Sequence, residues 1–113
     1  MEVLGPKGPH AYTGPEMVDW ARSQLTIADQ ILDNPGGGLV FATTSVGQVK
    51  AALAERAALS DAELRRWEGV IELLETVEDE MVRRHFDSAR SGLQKALEAL
   101  SQAAAEDGAP QTA

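Results

Sequence analysis

The chain has 113 residues, no cysteine, and 18 acidic against 10 basic side chains, for a formal net charge of -8. That length supports one domain with one core, and the lack of cysteine excludes disulfides and thiolate metal sites. The acidic balance disfavours attraction to nucleic-acid phosphates or to an anionic membrane surface, so neither is expected as a partner.

The first fifteen residues, "MEVLGPKGPHAYTGP", carry three of the five prolines and show no apolar period. They lack the basic region followed by an apolar stretch that marks a secretory signal, and no apolar run reaches the length of about 18 residues that spans a bilayer. A cytoplasmic location is the expectation. Residues 1–12 are expected to form a flexible N-terminal tail, with Tyr12 packing back on the first helix, and 105–113 a flexible C-terminal tail. Residues 13–104 form the expected helical domain.

Within that domain the start signals come in order. "TGPE" sets Thr13 three residues before Glu16, a capping-box spacing, with Pro15 near the first helical position. It predicts a helix over about 14–33, with Met17, Trp20, Ala21, Leu25, Ala28, Ile31 and Leu32 on one face. "NPGGG" then reads as a flexible joint. A phosphate loop needs a lysine directly after its last glycine, and Gly47 is followed by Gln48. "LVFATT" is an isolated candidate strand with nothing to pair with.

"SVGQ" repeats the capping spacing at Ser45 and Gln48, so the second helix is predicted over about 45–59, burying Val46, Val49, Leu53 and Ala57. "SDAE", with Ser60 and Glu63, opens a third helix. Its seam is Leu64, Trp67, Ile71, Leu74 and Met81, widened by Val70, Leu73 and Val77. A fourth region repeats the rhythm with Phe86, Ala89, Leu93, Ala96, Leu97, Leu100 and Ala103. Asp87 or Ser88 could cap it, but no glycine or proline forces a break after the third helix. The fold class is all-α, a bundle of three or four helices.

The chemistry-bearing candidates are few. Glu68, Glu72, Glu75, Glu78, Asp79 and Glu80 follow one another with no base between them. At helical neighbour spacing, Glu72, Glu75 and Asp79 could share a divalent cation. The "ExxE" of Glu72 and Glu75 resembles the carboxylate pairs with which all-α nucleotide pyrophosphohydrolases of the MazG kind hold magnesium. That resemblance implies a second pair, available at Glu16 and Asp19 in the opposite chain order. As a solvated face, the same stripe loses some helix stability to like-charge neighbours, which favours a basic partner or a cation nearby. His85 follows Arg83 and Arg84, and with Val82 in place of a carboxylate it lacks the Glu-x-x-His pair of a di-iron bundle. An exposed helical histidine is also what a phosphotransfer bundle presents. "WEG" at 67–69 resembles the motif of small helical-hairpin secretion substrates of the WXG type, where it marks a turn; here it lies inside an unbroken helical period.

No catalytic constellation emerges and no cofactor is expected. The expected function is an acidic protein–protein interaction module, adaptor or regulatory, that self-associates as a homodimer or binds another protein. Its contact residues are expected to be Leu64, Trp67, Ile71, Leu74, Met81, Phe86, Leu93 and Leu97, because the first two helices supply too little cover for those faces. The alternative is a divalent-metal-dependent nucleotide hydrolase using Glu72, Glu75 and Asp79.

Overall fold

A computed structural model describes the backbone of residues 14–108; the expectations for the tail at 1–12, for Tyr12 and for 109–113 lie outside the described residues, while 105–108, expected in the C-terminal tail, continue the last helix. Four helices follow in order: α1 (Gly14–Asp33), α2 (Leu39–Ala57), α3 (Asp61–Val82) and α4 (Phe86–Gly108). Each packs on its chain neighbours and α4 closes back on α1, while α1 and α3 sit diagonally opposite. Links across the bundle run antiparallel. Arg22 meets Ser101 and Arg90 meets Asp29 between α1 and α4; Lys50 meets Glu78 between α2 and α3. This is an up-and-down four-helix bundle.

The core follows the 3.6-residue period of each helix. Met17, Ala21, Leu25, Ala28 and Leu32 come from α1; Ala42, Val46, Val49, Leu53 and Ala57 from α2. Trp67, Val70, Leu74, Val77 and Met81 come from α3; Ala89, Leu93, Ala96, Leu100 and Ala103 from α4. No polar or charged residue is buried among the described residues. Buried alanines recur on α1, α2 and α4, small enough to let neighbouring helices approach closely. Gly92 lies close against α3. A Cβ there would stand 2.7 Å from Val77 Cγ2.

Helix α1 takes the bounds that its start and stop signals predict. The third helix also begins where expected: Ser60 is the N-cap and its hydroxyl accepts from the Glu63 N–H at 3.1 Å. The second helix departs from prediction. It starts at Leu39, not near Ser45, so "LVFATT" is helical and the Ser45–Gln48 spacing is no cap. Gly38 precedes it with no side-chain cap, and its carbonyl accepts from the Phe41 and Ala42 N–H groups. Two things outweigh the β-branched run. Ala42 is fully buried, and the Thr43 hydroxyl donates back to the Leu39 and Val40 carbonyls, which satisfies it within the helix. The glycine joint is a short turn in which Gly36 takes a left-handed φ of 48°, a conformation that favours glycine.

The break between α3 and α4 also lacks a sequence signal. Arg84 adopts φ 64°. The Arg84 N–H donates to the Met81 carbonyl and the His85 N–H to the Glu80 carbonyl, the bonding of a Schellman ending with arginine where glycine is usual. The His85 and Glu80 side chains reinforce it, Nδ1 to Oε1 at 2.8 Å. Neither Asp87 nor Ser88 is the cap, since α4 begins at Phe86 and the His85 carbonyl accepts from Ala89 N–H. A left-handed non-glycine residue costs roughly 1–2 kcal/mol, partly recovered by its smaller unfolded-state entropy. Arg84→Gly is therefore expected to raise the unfolding free energy by about 0.5–1 kcal/mol, read as a higher denaturation midpoint. A lower midpoint would mean that the arginine side chain supports the turn.

Candidate functional site

The acidic run occupies the outer face of α3, where Glu68, Glu72, Glu75 and Asp79 recur three or four residues apart and are all exposed. Its members divide by partner. Glu78 reaches across to Lys50 on α2, Asp79 pairs with Arg83 at 3.1 Å, and Glu80 with His85. The carboxylates of Glu68, Glu72 and Glu75 have no ion pair or hydrogen bond among the described residues, although the Glu72 carbonyl accepts from the Thr76 hydroxyl. Nor do three or more aspartate, glutamate or histidine side chains converge as a metal site among those residues. Glu16 and Asp19 are exposed on α1, diagonally across the bundle from α3. The two carboxylate pairs of the pyrophosphohydrolase resemblance therefore do not face each other. His85 lies in the α3–α4 turn, off the helices.

The apolar seam is closed within one chain. Trp67, Leu74, Met81 and Leu93 are at most 1% exposed, Ile71, Phe86 and Leu97 are half-buried, and Leu64 is 44% exposed. "WEG" sits well inside α3. Trp67 is held by the residues around it: its indole N–H donates to Glu63 Oε1 at 2.9 Å, and the Arg66 guanidinium lies 4.5 Å from its ring centroid. Arg66 also donates to the Ala103 carbonyl and pairs with Glu63, while Arg56 reaches Glu63 from α2. This cluster ties α2, α3 and α4 together at one end. Glu63 is fully engaged in it and is not poised as a base.

At the opposite end Arg90 clamps α4 to α1, bonding Asp29 at 3.0 Å and Asp33 at 2.7 Å, with Gln94 also donating to Asp29. The Arg90 pKa is raised, chiefly by the hydrogen bond to Asp29 and further by the charges of Asp29 and Asp33, with desolvation opposing. The guanidinium stays charged wherever the fold persists, so the clamp is a fixed structural element. A shallow depression nearby is lined by Ser91, Gln94, Lys95, Leu97, Glu98 and Ser101. All of these belong to α4, so no second helix supplies an opposing group.

What the sequence reading missed is the exterior of α2. Val40 and Phe41 are each 69% exposed. Between Leu39 and Ala54 the sole charge is Lys50, and it is turned to Glu78. The outer positions Phe41, Thr44, Gln48 and Ala51 are exposed and uncharged. A solvent-facing helix surface ordinarily carries charged and polar residues, and this one is open to solvent without a charge at those positions. The signal was available in the sequence as a charge-free run of eleven residues, 39–49. It was hidden by placing the start of the helix at Ser45. No helix among the described residues is long and apolar enough to cross a membrane. Comparison with known proteins finds no matching family model, no matching curated protein and no matching solved structure.

Proposed function

We propose that this chain is a small protein–protein interaction module, adaptor or regulatory in kind, that works by contact and presents the outer face of α2. One observation carries the reading. A solvent-facing helix surface with two adjacent bulky apolar residues and almost no charge is what soluble proteins keep for binding. The occupant of that face is either a second copy of the chain or a different protein. Contacts through Trp67, Leu74, Met81 and Leu93 would require the bundle to open, whereas the α2 face is exposed without unfolding.

A photo-crosslinking residue at Ala51, on that face, tests the module directly in the source cells. A discrete adduct is expected from position 51 and none from Ser91 on the outside of α4. Equal absence at both, in a folded chain, removes the reading. Metal-dependent hydrolysis is separated by a magnesium titration followed by amide shifts. Millimolar magnesium is expected to cause no shift selective for Glu72, Glu75 and Asp79 and no rise in melting temperature. A saturable shift confined to those residues, with a higher melting temperature by linkage and loss in Glu75→Gln, would replace the module with the enzyme.

A further inference from the structure

We propose that the edge where α2 meets α3 is a docking groove for a basic amphipathic helix of a partner protein, with Gly47 on its α2 side. This rests on the interaction-module reading and names the occupant.

The α2 side of the edge is set by Gly47 and Lys50, both of which face Glu78. Helical spacing carries it through Val40, Gly47, Ala51 and Ala54. All but Gly47 are exposed, and none has a side chain larger than valine. The α3 side runs Leu64, Glu68, Ile71, Glu75, Glu78 and Val82 by the same spacing. It mixes three apolar residues with three acids. Val40, Leu64 and Val82, three of the six exposed large hydrophobics among the described residues, border this one seam. The other outer faces offer no such concentration.

Gly47 is the second, independent observation. A glycine inside a helix costs about 1 kcal/mol relative to alanine, and packing within the chain does not call for one here. A Cβ at Gly47 would meet Glu78 Oε2 at 3.6 Å, an ordinary contact, whereas at Gly92 it would meet Val77 at 2.7 Å. Gly92 is required by a neighbour already present. Gly47 leaves room for one that is not, at the middle of a seam of small side chains where another backbone can come close.

Charge selects the occupant. The Glu68 and Glu75 carboxylates stand along the seam, with Glu72 on the adjoining outer face, and none has a basic partner among the described residues; the base on the α2 side, Lys50, is neutralised by Glu78. A second copy would bring another chain of net charge -8 against this ladder. A helix with apolar residues at i, i+3, i+4 and i+7 and lysine or arginine beside them fits both features. From Leu64 to Val82 the seam is roughly 27 Å long at 1.5 Å per residue, which accommodates a helix of about 18 residues.

The test uses the full chain, isotope-labelled, with three helical probe peptides of about 18 residues. One has a leucine face flanked by lysines, one the same face flanked by glutamates, and one keeps the lysines with glutamine replacing leucine. The leucine–lysine peptide is expected to shift amides saturably along Val40, Gly47, Ala51, Ile71 and Glu75. Each of the other two peptides should bind at least about tenfold more weakly, a difference of about 1.4 kcal/mol. Reversing Glu68 and Glu75 to lysine should exchange the preference to the leucine–glutamate peptide. Gly47→Ala and Gly69→Ala should both raise the melting temperature, since no atom crowds either site, but only Gly47→Ala should weaken binding. Equal binding of the glutamine–lysine peptide, shifts elsewhere, or no shift overturns the groove. So does a free chain whose sedimentation and amide shifts at this edge depend on its own concentration. That last outcome puts a second copy in the groove and leaves the module standing, whereas loss of the position-51 adducts removes both.

Discussion

Leu74→Ala is expected to lower the unfolding free energy by about 2–5 kcal/mol, a large part of the 5–15 kcal/mol that holds a domain of this size together. Leu74 is 0% exposed at the middle of α3, between Val70 and Val77 and facing the bundle interior. Removing three carbons leaves a hole that the close helix spacing cannot collapse into. Leu74→Glu goes further, placing a carboxylate where the described residues include no buried polar group, and that chain is expected to be unfolded. Urea denaturation measures the first and circular dichroism the second. The loss should not depend on protein concentration, because the cavity lies within one chain. A well-folded Leu74→Glu monomer would mean that this face of α3 is turned outward and serves contact between chains.

Gly92→Ala is expected to destabilise by about 1–3 kcal/mol, although alanine is the better helix former by about 1 kcal/mol. The added carbon would stand 2.7 Å from Val77 Cγ2. Valine in a helix is confined to one rotamer and cannot swing aside, so α3 and α4 must separate. Val77→Ala in the same chain opens that space. The pair should lose less than the sum of the two single changes, with a coupling of about 0.5–3 kcal/mol, read from a denaturation cycle on all four chains. Additivity within about 0.5 kcal/mol would show that the α3–α4 approach does not depend on a bare residue 92.

The candidate surface was only partly legible in the sequence. The ladder of Glu68, Glu72 and Glu75 was visible as a charge run at helical spacing. Their lack of partners was not, because Lys50, Arg83 and His85 lie at different distances along the chain and only the fold assigns each to Glu78, Asp79 or Glu80. Val40 and Phe41 read as strand-like, since β-branched and aromatic residues favour strands. Their helix exists because Leu39 and Ala42 pack on the core. That burial arises from the other helices and leaves no local mark.

Local chemistry alone determined the class of the fold, the bounds of α1 and the start of α3. The Asn34-Pro35 stop acts within a few residues of itself, as does the Ser60 hydroxyl on Glu63 N–H, and the apolar period of each helix needs only that helix to be read. Tertiary structure alone decided three further things. It began α2 at Leu39, turned the chain at Arg84 against that residue's own preference, and brought α4 back onto α1 through Arg90 and Asp29. Each of these trades a local cost for contacts made with residues distant in the chain. Closure is also what consumed the wide stripe of α3 and α4. An amphipathic face read from sequence is a demand for cover, and whether a neighbouring helix or a second molecule meets it depends on how the helices come together. Here four helices close on one another, and the outer face of α2 is left open.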